Sequence, residues 1–272
     1  MTTHLHRIEY SDGMICPDFS TVHEMPKAYL FAQRTINEYP ANLGSADAEY
    51  IVTAEDGMDY VVKTTKKIFG VPASEWICQN LADACGIPTP QFSQIELRNG
   101  DLGFGSQWDE SAIKDQATRN QIVLAVPGLP ILADMFSAIY VLDLFSFNVD
   151  RHLGNYFFVR TNLGVGVKAY DFSRAFYSLG WPIPAPPLPS NCHTVACYRS
   201  LKVGYPLSPP IAAETLRRIA AVPQATVQSW LDEMPTSWMS DAQKAETVKW
   251  WTTELPQRLA NILLGLKNGT LL

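Results

Sequence analysis

The sequence predicts an α+β fold in which a β-rich N-terminal region is followed by a mostly helical C-terminal region. Two strand-like runs flank the turn dipeptide Asp56-Gly57 and predict a β-hairpin over residues 49–63. Residues 129–147 are apolar on almost every side, which is typical of a helix buried in a core. Helical patterns then predict four C-terminal helices, over 211–222, 225–234, 240–253 and 256–267.

Length, composition and charge narrow the class of protein. The chain has 272 residues, enough for one large core or for two lobes around a cleft, and its 47% hydrophobic and 18% charged content excludes disordered and fibrous classes. A net charge of −6 argues against a groove that follows a nucleic-acid backbone. Five cysteines without a CxxC pair favour reduced thiols, and no apolar run reaches the length of a membrane span. We therefore expect a cytoplasmic protein that binds neither nucleic acid nor membranes directly.

The most informative segment begins at Asp150. A carboxamide, Asn155, follows five residues later, and a second carboxylate, Asp171, follows two strand-like runs. These runs, over 156–159 and 165–169, predict a hairpin that returns Asp171 to Asn155. Magnesium needs its oxygen ligands within about 2.1 Å of one point, so this return is essential.

Each of these three residues alone would be expected at a surface or a helix cap, but together they match the needs of phosphoryl transfer. One acid orients or deprotonates the acceptor, while an amide oxygen and a second acid hold magnesium against the nucleotide phosphates. We therefore predict a site for ATP and Mg²⁺ in which Asp150 is catalytic and Asn155 and Asp171 bind the metal.

Charged neighbours of this motif receive supporting roles. The planar donors of Arg151 and Arg174 are suited to neutralising phosphate charge. Asp143 is expected to be a structural acceptor for backbone groups or for Arg151 and His152. Because no other His or Cys lies at metal-ligand spacing, we assign His152 to holding the shape of the loop.

Lys63 and Glu75 are candidates for contacting the nucleotide. Lys63 ends the second strand of the hairpin, and Glu75 lies in the first turn of a helix predicted over 71–86. Lys63 either lies at a sheet edge, where it reaches water, or points inward to bind a ligand. Glu75 either interacts favourably with the positive end of the helix dipole or forms an ion pair with Lys63. An ideal helical wheel places Glu75 away from the apolar stripe, which disfavours the pair. The order of the elements, a strand with Lys63, a helix with Glu75 and then another strand, favours the pairing of Lys63 with Glu75.

Two glycine-containing loops allow both a structural and a functional interpretation. Residues 39–47 form either a surface turn or a loop in which Gly44 and Ser45 approach phosphate oxygens. Residues 100–108 suit either a plain hairpin or a flexible connector where an adenine stacks. We expect the connector, which makes Phe104 and Gly105 candidate nucleotide-binding residues.

Two other segments are less distinctive. Weak patterning suggests a helix over 27–39. The proline-rich segment 182–189 is stiff and extended, and either spans the surface or contacts a substrate.

These motifs resemble those of known kinase families. The DRHLGN motif from Asp150 to Asn155, with Asp171-Phe172-Ser173, resembles the HipA-like kinases and, in its DRHxxN form, the phosphatidylinositol kinases. Residues 75–90 resemble the N-lobe helix and following strand of HipA-like proteins, residues 104–107 their lobe connector, and residues 234–238 with the last helix their C-terminal end. The resemblance covers about residues 40–270.

The resemblance implies a bilobal protein-kinase-like fold, with a small β-rich N-lobe containing one helix (1–105) and a larger, mostly helical C-lobe (106–272). It implies magnesium-ATP, transfer to a serine or threonine of a protein substrate, and room for a regulatory or antitoxin partner. By position, Asp150 is the catalytic base, Lys63 the phosphate-binding lysine and Glu75 its partner. Ser173 departs from the pattern, because protein kinases have glycine there. A lipid or small-molecule kinase, a nucleotidyl transferase and a nucleotide-binding interaction module remain as alternatives.

Overall fold

A computed structural model of the chain describes residues 32–41, 47–109, 111–124, 130–161, 164–186 and 188–272. The predicted phosphate-loop residues Gly44 and Ser45 lie outside these ranges. None of the helices found within them combines the length and the apolar character needed to cross a membrane.

A closed five-stranded barrel forms the N-terminal part of the molecule. Its strands are β1 (Gln33–Pro40), β2 (Tyr50–Ala54), β3 (Asp59–Lys63), β4 (Phe92–Glu96) and β5 (Leu102–Gln107). They are hydrogen-bonded in the order β1-β2-β3-β5-β4, and a parallel contact between β1 and β4 closes the barrel. One small cluster of aliphatic side chains together with Tyr60 fills the interior. The predicted β2–β3 hairpin is confirmed, with Gly57 in the left-handed conformation that its turn requires.

Two predictions for this part are wrong. Residues 33–40 form β1 rather than the end of the helix predicted over 27–39, because their backbone is paired with β2 on one side and β4 on the other. Residues 27–31 of that prediction lie outside the described ranges. Residues 104–107 form the end of β5 rather than a flexible connector, because β5 is paired along both edges with β3 and β4. The hairpin interpretation of residues 100–108 therefore holds.

Helix α1 (Val71–Ala84) is buried on both sides, between the barrel and the C-terminal helices. Gly70 precedes it with a φ of 84°, and a Cβ atom there would lie 3.0 Å from the backbone of Tyr177. On the C-terminal side, Trp76 Nε1 donates to Trp230 O (3.0 Å) and Ser74 Oγ to Ala175 O (2.7 Å). Burial of the whole helix, rather than of one stripe, is what allows Glu75 to face inward.

Helices dominate the C-terminal part, apart from one hairpin. The helices are α2 (Gln116–Val123), α3 (Pro130–Ser146), α4 (His193–Leu201), α5 (Pro209–Ala221), α6 (Gln224–Glu233), α7 (Asp241–Thr253) and α8 (Leu255–Lys267). The hairpin consists of β6 (Tyr156–Thr161) and β7 (Gly164–Ala169). The structure confirms the buried helix, the hairpin and the four last helices, whereas α4 was not predicted.

Helix α3 is the centre of this part. Phe136, Tyr140 and Phe145 on α3 are buried and contact aromatic side chains of the neighbouring elements. Arg258 of α8 donates to Leu144 O (3.1 Å) and Phe145 O (2.6 Å) at the C-terminal end of α3 and so satisfies carbonyls that lack helical partners. The same guanidinium donates to Pro184 O (2.7 Å), which fixes the proline-rich segment against α8.

Candidate functional site

A cavity of about 220 Å³ lies where the barrel, α1 and the β6–β7 hairpin meet. Residues from all three contribute to its wall: Val61, Lys63, Glu75, Ser106, Gln107, Trp108, Phe157, Tyr170 and Asp171. The rings of Phe157 and Tyr170 stack with centroids 3.9 Å apart and planes within 9° of each other. The cavity therefore combines a charged side with a flat aromatic side.

The charged side consists of Lys63 and two carboxylates. Lys63 Nζ lies 2.5 Å from Glu75 Oε1 and 2.7 Å from Asp171 Oδ1, and both contacts are hydrogen-bonded ion pairs. The Lys63 and Glu75 side chains are buried, whereas 18% of the Asp171 side chain is exposed. Residues 108 positions apart are thus joined, and the predicted pairing of Lys63 with Glu75 is confirmed.

The pKa values of this cluster follow from burial and charge. Burial alone lowers the pKa of Lys63, but the Asp171 and Glu75 carboxylates outweigh it and raise that pKa above its usual value. Burial favours the neutral form of Asp171, yet Lys63 and the hydroxyl of Ser173 hold its pKa well below the usual range. Burial raises the pKa of Glu75, with Lys63 acting in the opposite direction. Asp171 is therefore the firmly ionised carboxylate of the pair.

The hairpin places Asp171 directly beside the end of the loop that carries Asn155. Tyr156 is paired with Ala169, so the residues flanking the hairpin emerge together. Asp171 has a φ of 62°, a left-handed conformation in which aspartate is enriched among non-glycine residues. Its Oδ1 accepts a hydrogen bond from the Ser173 hydroxyl (2.8 Å), which stabilises this turn.

The loop itself presents Asp150 and Asn155 with different exposure. Asn155 is buried in a short 3-10 helix (Leu153–Asn155), and its Nδ2 donates to Asp150 O (3.1 Å). This contact leaves the carboxamide oxygen Oδ1 as an acceptor. The Asp150 side chain is 37% exposed, and its Oδ1 lies 2.5 Å from Nδ1 of His193.

Arg151 does not face the cavity, so its predicted role in binding phosphate is wrong. The side chain is 1% exposed, and its Nε and Nη2 each donate to the Asp143 carboxylate at 2.9 Å. Its Nη1 donates to Asn155 O (3.0 Å) and to Tyr170 O. Protein acceptors thus occupy the guanidinium, which fastens the loop to the end of the hairpin. Asp143 is the structural acceptor that the sequence predicted.

His152 also has the structural role expected of it. Its Nδ1 accepts a hydrogen bond from the backbone N–H of Gly154 (3.0 Å) and caps the short 3-10 helix. A Cβ atom at position 154 would lie 2.7 Å from Cε1 of the His152 ring. Only glycine fits at 154 while the ring holds this position.

Phe104 and Gly105 are not part of the cavity wall, contrary to prediction. Phe104 is fully buried and stacks on Phe92 with ring centroids 5.9 Å apart. A Cβ atom on Gly105 would lie 2.4 Å from Ile95 Cγ1, so Gly105 allows close packing inside the barrel. The next residues of the chain, 106–108, line the cavity instead.

Ser173 and Arg174 bind Asp47, a residue that sequence reasoning did not select. Ser173 Oγ lies 2.7 Å from Asp47 Oδ2, and Arg174 Nη2 lies 3.2 Å from Asp47 Oδ1. Arg174, which we expected to neutralise phosphate, is thus paired with a carboxylate. These contacts connect the segment after Asp171 to the chain that leads into β2.

His193 and Thr194 are the other residues that sequence reasoning missed. Both lie in the first turn of α4 and contact the loop around Asp150. No pattern near residue 193 indicates this, because the contact joins residues 43 apart. The only local signal is a histidine that follows the proline-rich segment.

The sequence was compared with models of known protein families and with curated protein sequences. Residues 42–168 match the family model described as HipA-like kinase. The resemblance to HipA-like kinases is confirmed. A comparison with curated protein sequences finds no match.

Two solved structures are similar to this chain. The structure of CtkA, a proinflammatory kinase from Helicobacter pylori, is 14% identical in sequence, and the similarity covers 89% of this chain and 100% of that one with a TM-score of 0.62. HipA of Shewanella oneidensis MR-1, solved with HipB and its operator DNA in a toxin–antitoxin complex, is 14% identical over 84% of this chain and 65% of that one, with a TM-score of 0.46. The similarity to CtkA shows a shared α+β fold. The HipA-like family match is what supports a kinase.

Proposed function

We propose that the chain is an ATP- and magnesium-dependent kinase that transfers the γ-phosphate to a serine or threonine hydroxyl of a protein. Two lobes would meet at the cavity, with nucleotide between them. Because the paired strand β5 extends to Gln107, we move the boundary between the lobes from residue 105 to the residues that follow β5.

The observation that carries this proposal is the ion cluster at the cavity. Lys63 is buried with two carboxylates, Glu75 and Asp171, and all three side chains line the cavity. Tyr170, the residue before Asp171, donates its hydroxyl to Gly154 O (2.5 Å) on the loop that holds Asp150 and Asn155. Asp150 and Asn155 themselves are not among the residues of the cavity wall. A purely structural ion pair would not need a cavity on one side. A lysine and an acid held side by side suit phosphate and metal, respectively.

The residues fit a magnesium ion. Oxygen ligands are what Mg²⁺ requires, and it is commonly held by one or two protein groups together with substrate phosphates and water. Asp171 is ionised and Asn155 retains its carboxamide oxygen as an acceptor. In the described part of the chain no group of three His, Cys, Asp or Glu residues is arranged to hold a metal, so the phosphates would complete the coordination. The ion, when bound, would neutralise charge that develops on the phosphates.

The chain's own residues then divide the work of transfer. Asp150 accepts the proton of the acceptor hydroxyl as that oxygen forms its bond to the γ-phosphorus. The bond from the γ-phosphorus to the bridging oxygen breaks, and its electron pair leaves with ADP. Lys63 holds the phosphates, while Glu75 fixes the ammonium group of Lys63. The stacked rings of Phe157 and Tyr170 offer an apolar surface to the nucleobase.

A protein acceptor is favoured by the position of Asp150. More than a third of its side chain is exposed, so a segment of another protein can bring a hydroxyl to it. We propose that this happens in the cytoplasm, with no direct binding of nucleic acid, and that a regulatory or antitoxin partner controls the activity.

The test is transfer from labelled ATP. Purified protein is incubated with magnesium and a cell lysate, using either γ- or α-labelled ATP. We expect γ-label on protein, in phosphoserine or phosphothreonine, and about 10²-fold or greater loss in Asp150→Asn. Asp232→Asn, an exposed aspartate on α6, is the matched control.

Other outcomes identify the alternatives. Label transferred from the α position indicates a nucleotidyl transferase, and label in lipid or small molecules indicates a different acceptor. Thermal stabilisation by ATP with no transfer of label indicates a nucleotide-binding interaction module. Equal activity of the wild type and Asp150→Asn overturns the proposed role of Asp150.

A further inference from the structure

His193, the first residue of α4, contacts the carboxylate of Asp150. The His193 Nδ1 and Asp150 Oδ1 atoms are 2.5 Å apart. An ionised carboxylate can only accept hydrogen bonds, so Nδ1 must carry the proton.

The first turn of α4 is fastened to the loop on both sides of Asp150. Thr194 Oγ1 donates to Asn148 O (2.6 Å) and accepts from the backbone N–H of Arg151 (2.8 Å). Thr194 is buried, and its hydroxyl satisfies backbone groups that would otherwise be buried without partners. The contact of His193 with Asp150 is therefore fixed by the neighbouring residue and is not a chance meeting of two surface side chains.

The backbone of Asp150 is held independently of its carboxylate. Its N–H faces Asn148 Oδ1 (3.3 Å) and its carbonyl accepts from Asn155. Across the described ranges, His193 is the group that hydrogen-bonds the carboxylate itself. Rotation of that carboxylate about its two side-chain torsions is thus limited by the imidazole.

We infer that His193 is a positioning residue for Asp150, whose Oδ1 it holds so that Oδ2 faces the acceptor hydroxyl. The inference rests on the proposed function, because it concerns the orientation of the proposed base. A base must lie within hydrogen-bonding reach of the proton it removes, and misplacement by about 1 Å can cost on the order of 10²-fold in rate.

A contribution to stability alone is the competing explanation, and the exposure of the pair argues against it. The His193 side chain is 71% exposed and that of Asp150 37%, and exposed pairs contribute little to folding. The ring of His152 also lies near His193, with centroids 6.4 Å apart, and it is engaged with Gly154. Removing the imidazole should therefore affect turnover without unfolding the protein.

The experiment compares His193→Leu with His193→Asn in the full chain. Leucine removes the donor, whereas the asparagine amide can place an N–H close to the position of Nδ1. We expect His193→Leu to lower kcat by about 10-fold or more with the KM for ATP unchanged, and His193→Asn to recover most of the loss. Ser200→Ala, an exposed change on the same helix, should match the wild type, as should the urea midpoints of all three variants.

The possible results distinguish a positioning role for His193 from a structural role and from failure of the proposed function. If His193→Leu keeps kcat within about twofold of the wild type while Asp150→Asn is inactive, the positioning role is wrong and the proposed function stands. If His193→Leu lowers kcat only together with its urea midpoint, and folded His193→Asn shows no recovery, the residue is structural. If the wild type transfers no phosphate, the proposed function fails instead.

Discussion

Two buried ion clusters lie close together in this molecule but differ in what surrounds them. Arg151 and Asp143 form one cluster, in which each side chain is at most 1% exposed and the guanidinium donates only to protein acceptors. Lys63, Glu75 and Asp171 form the other, which lines a cavity. Burial and pairing are common to both, so neither property identifies a functional site. The cavity beside Asp171 is what distinguishes the second cluster.

The two clusters also differ in their pKa shifts and in their balance of charge. Burial lowers the pKa of Arg151, but Asp143 more than compensates and raises it, so the guanidinium stays charged. In the Lys63 cluster two carboxylates share one ammonium group, and burial raises the pKa of Glu75. The first cluster is balanced in charge, whereas the second carries an excess carboxylate at the cavity. Such an excess suits a site that is completed by a cation.

The largest expected effect on stability comes from Arg151→Met. Methionine leaves the Asp143 charge buried without its partner, and breaking a buried ion pair in this way costs about 3–5 kcal/mol. Urea unfolding measures the loss. The exposed Arg160→Met change in β6 is the matched control and should alter stability by less than about 0.5 kcal/mol. Equal midpoints for both variants would show that the Arg151 cluster does not stabilise the fold.

Lys63→Met should reduce stability less than Arg151→Met does, but it should greatly reduce phosphate transfer. We expect a smaller loss of stability, about 2–3 kcal/mol, because Glu75 can take up a proton and Asp171 is partly exposed to water. Phosphate transfer should fall by about 10²-fold or more, since a charged donor to the phosphates is lost. Urea unfolding and the labelled-ATP assay measure the two effects.

Lys66→Met supplies the control for this change, because Lys66 follows Lys63 by three residues, is exposed and pairs with Asp101. It should leave both stability and transfer close to wild type. A Lys63→Met protein that retains full transfer would remove Lys63 from the site and with it the distinction between the two clusters.

Sequence reasoning succeeded where local order sets the geometry. The hairpin between Asn155 and Asp171, the buried helix α3 and the strand and helix carrying Lys63 and Glu75 each follow from patterns within about 20 residues. The helical wheel misjudged Glu75 because α1 is buried on both sides, which depends on elements far along the chain. Strand β1 was missed for a similar reason, since its partners β2 and β4 lie outside its own pattern.

Residue type alone did not predict function where other protein groups already use the hydrogen-bond donors of a side chain. Arg151 has the chemistry to bind phosphate, yet Asp143 and two carbonyls use its donors, and the sequence does not show which way a side chain turns. His193, in contrast, is a residue at the site that the sequence did not indicate. Its contact with Asp150 depends on how α4 docks, which Thr194 fixes through contacts 43 and 46 residues away.

The smallest expected effect concerns the pH dependence of the Lys63 cluster. The folded-state pKa of Asp171 is held below its usual value of 3.8, so its ionised form stabilises the folded protein at neutral pH. As pH falls below about 4, the unfolded chain binds the proton first and this contribution is lost. Asp171→Asn retains an acceptor oxygen but no charge, so it should be about 1–2 kcal/mol less stable at pH 7, with the gap closing towards pH 3.

Urea titrations of wild type and Asp171→Asn between pH 7 and pH 3 measure this gap directly. The Asp171 charge also contributes to the raised pKa of Glu75, so the measured gap reports the two coupled carboxylates together. Asp232→Asn, on the surface of α6, is the matched control and should differ little from the wild type at pH 7. A gap between wild type and Asp171→Asn that is the same at both ends of the range would mean that the charge of Asp171 does not stabilise the fold. Lys63 would then be held by Glu75 alone, and the contrast between a balanced cluster and one with a spare carboxylate would disappear.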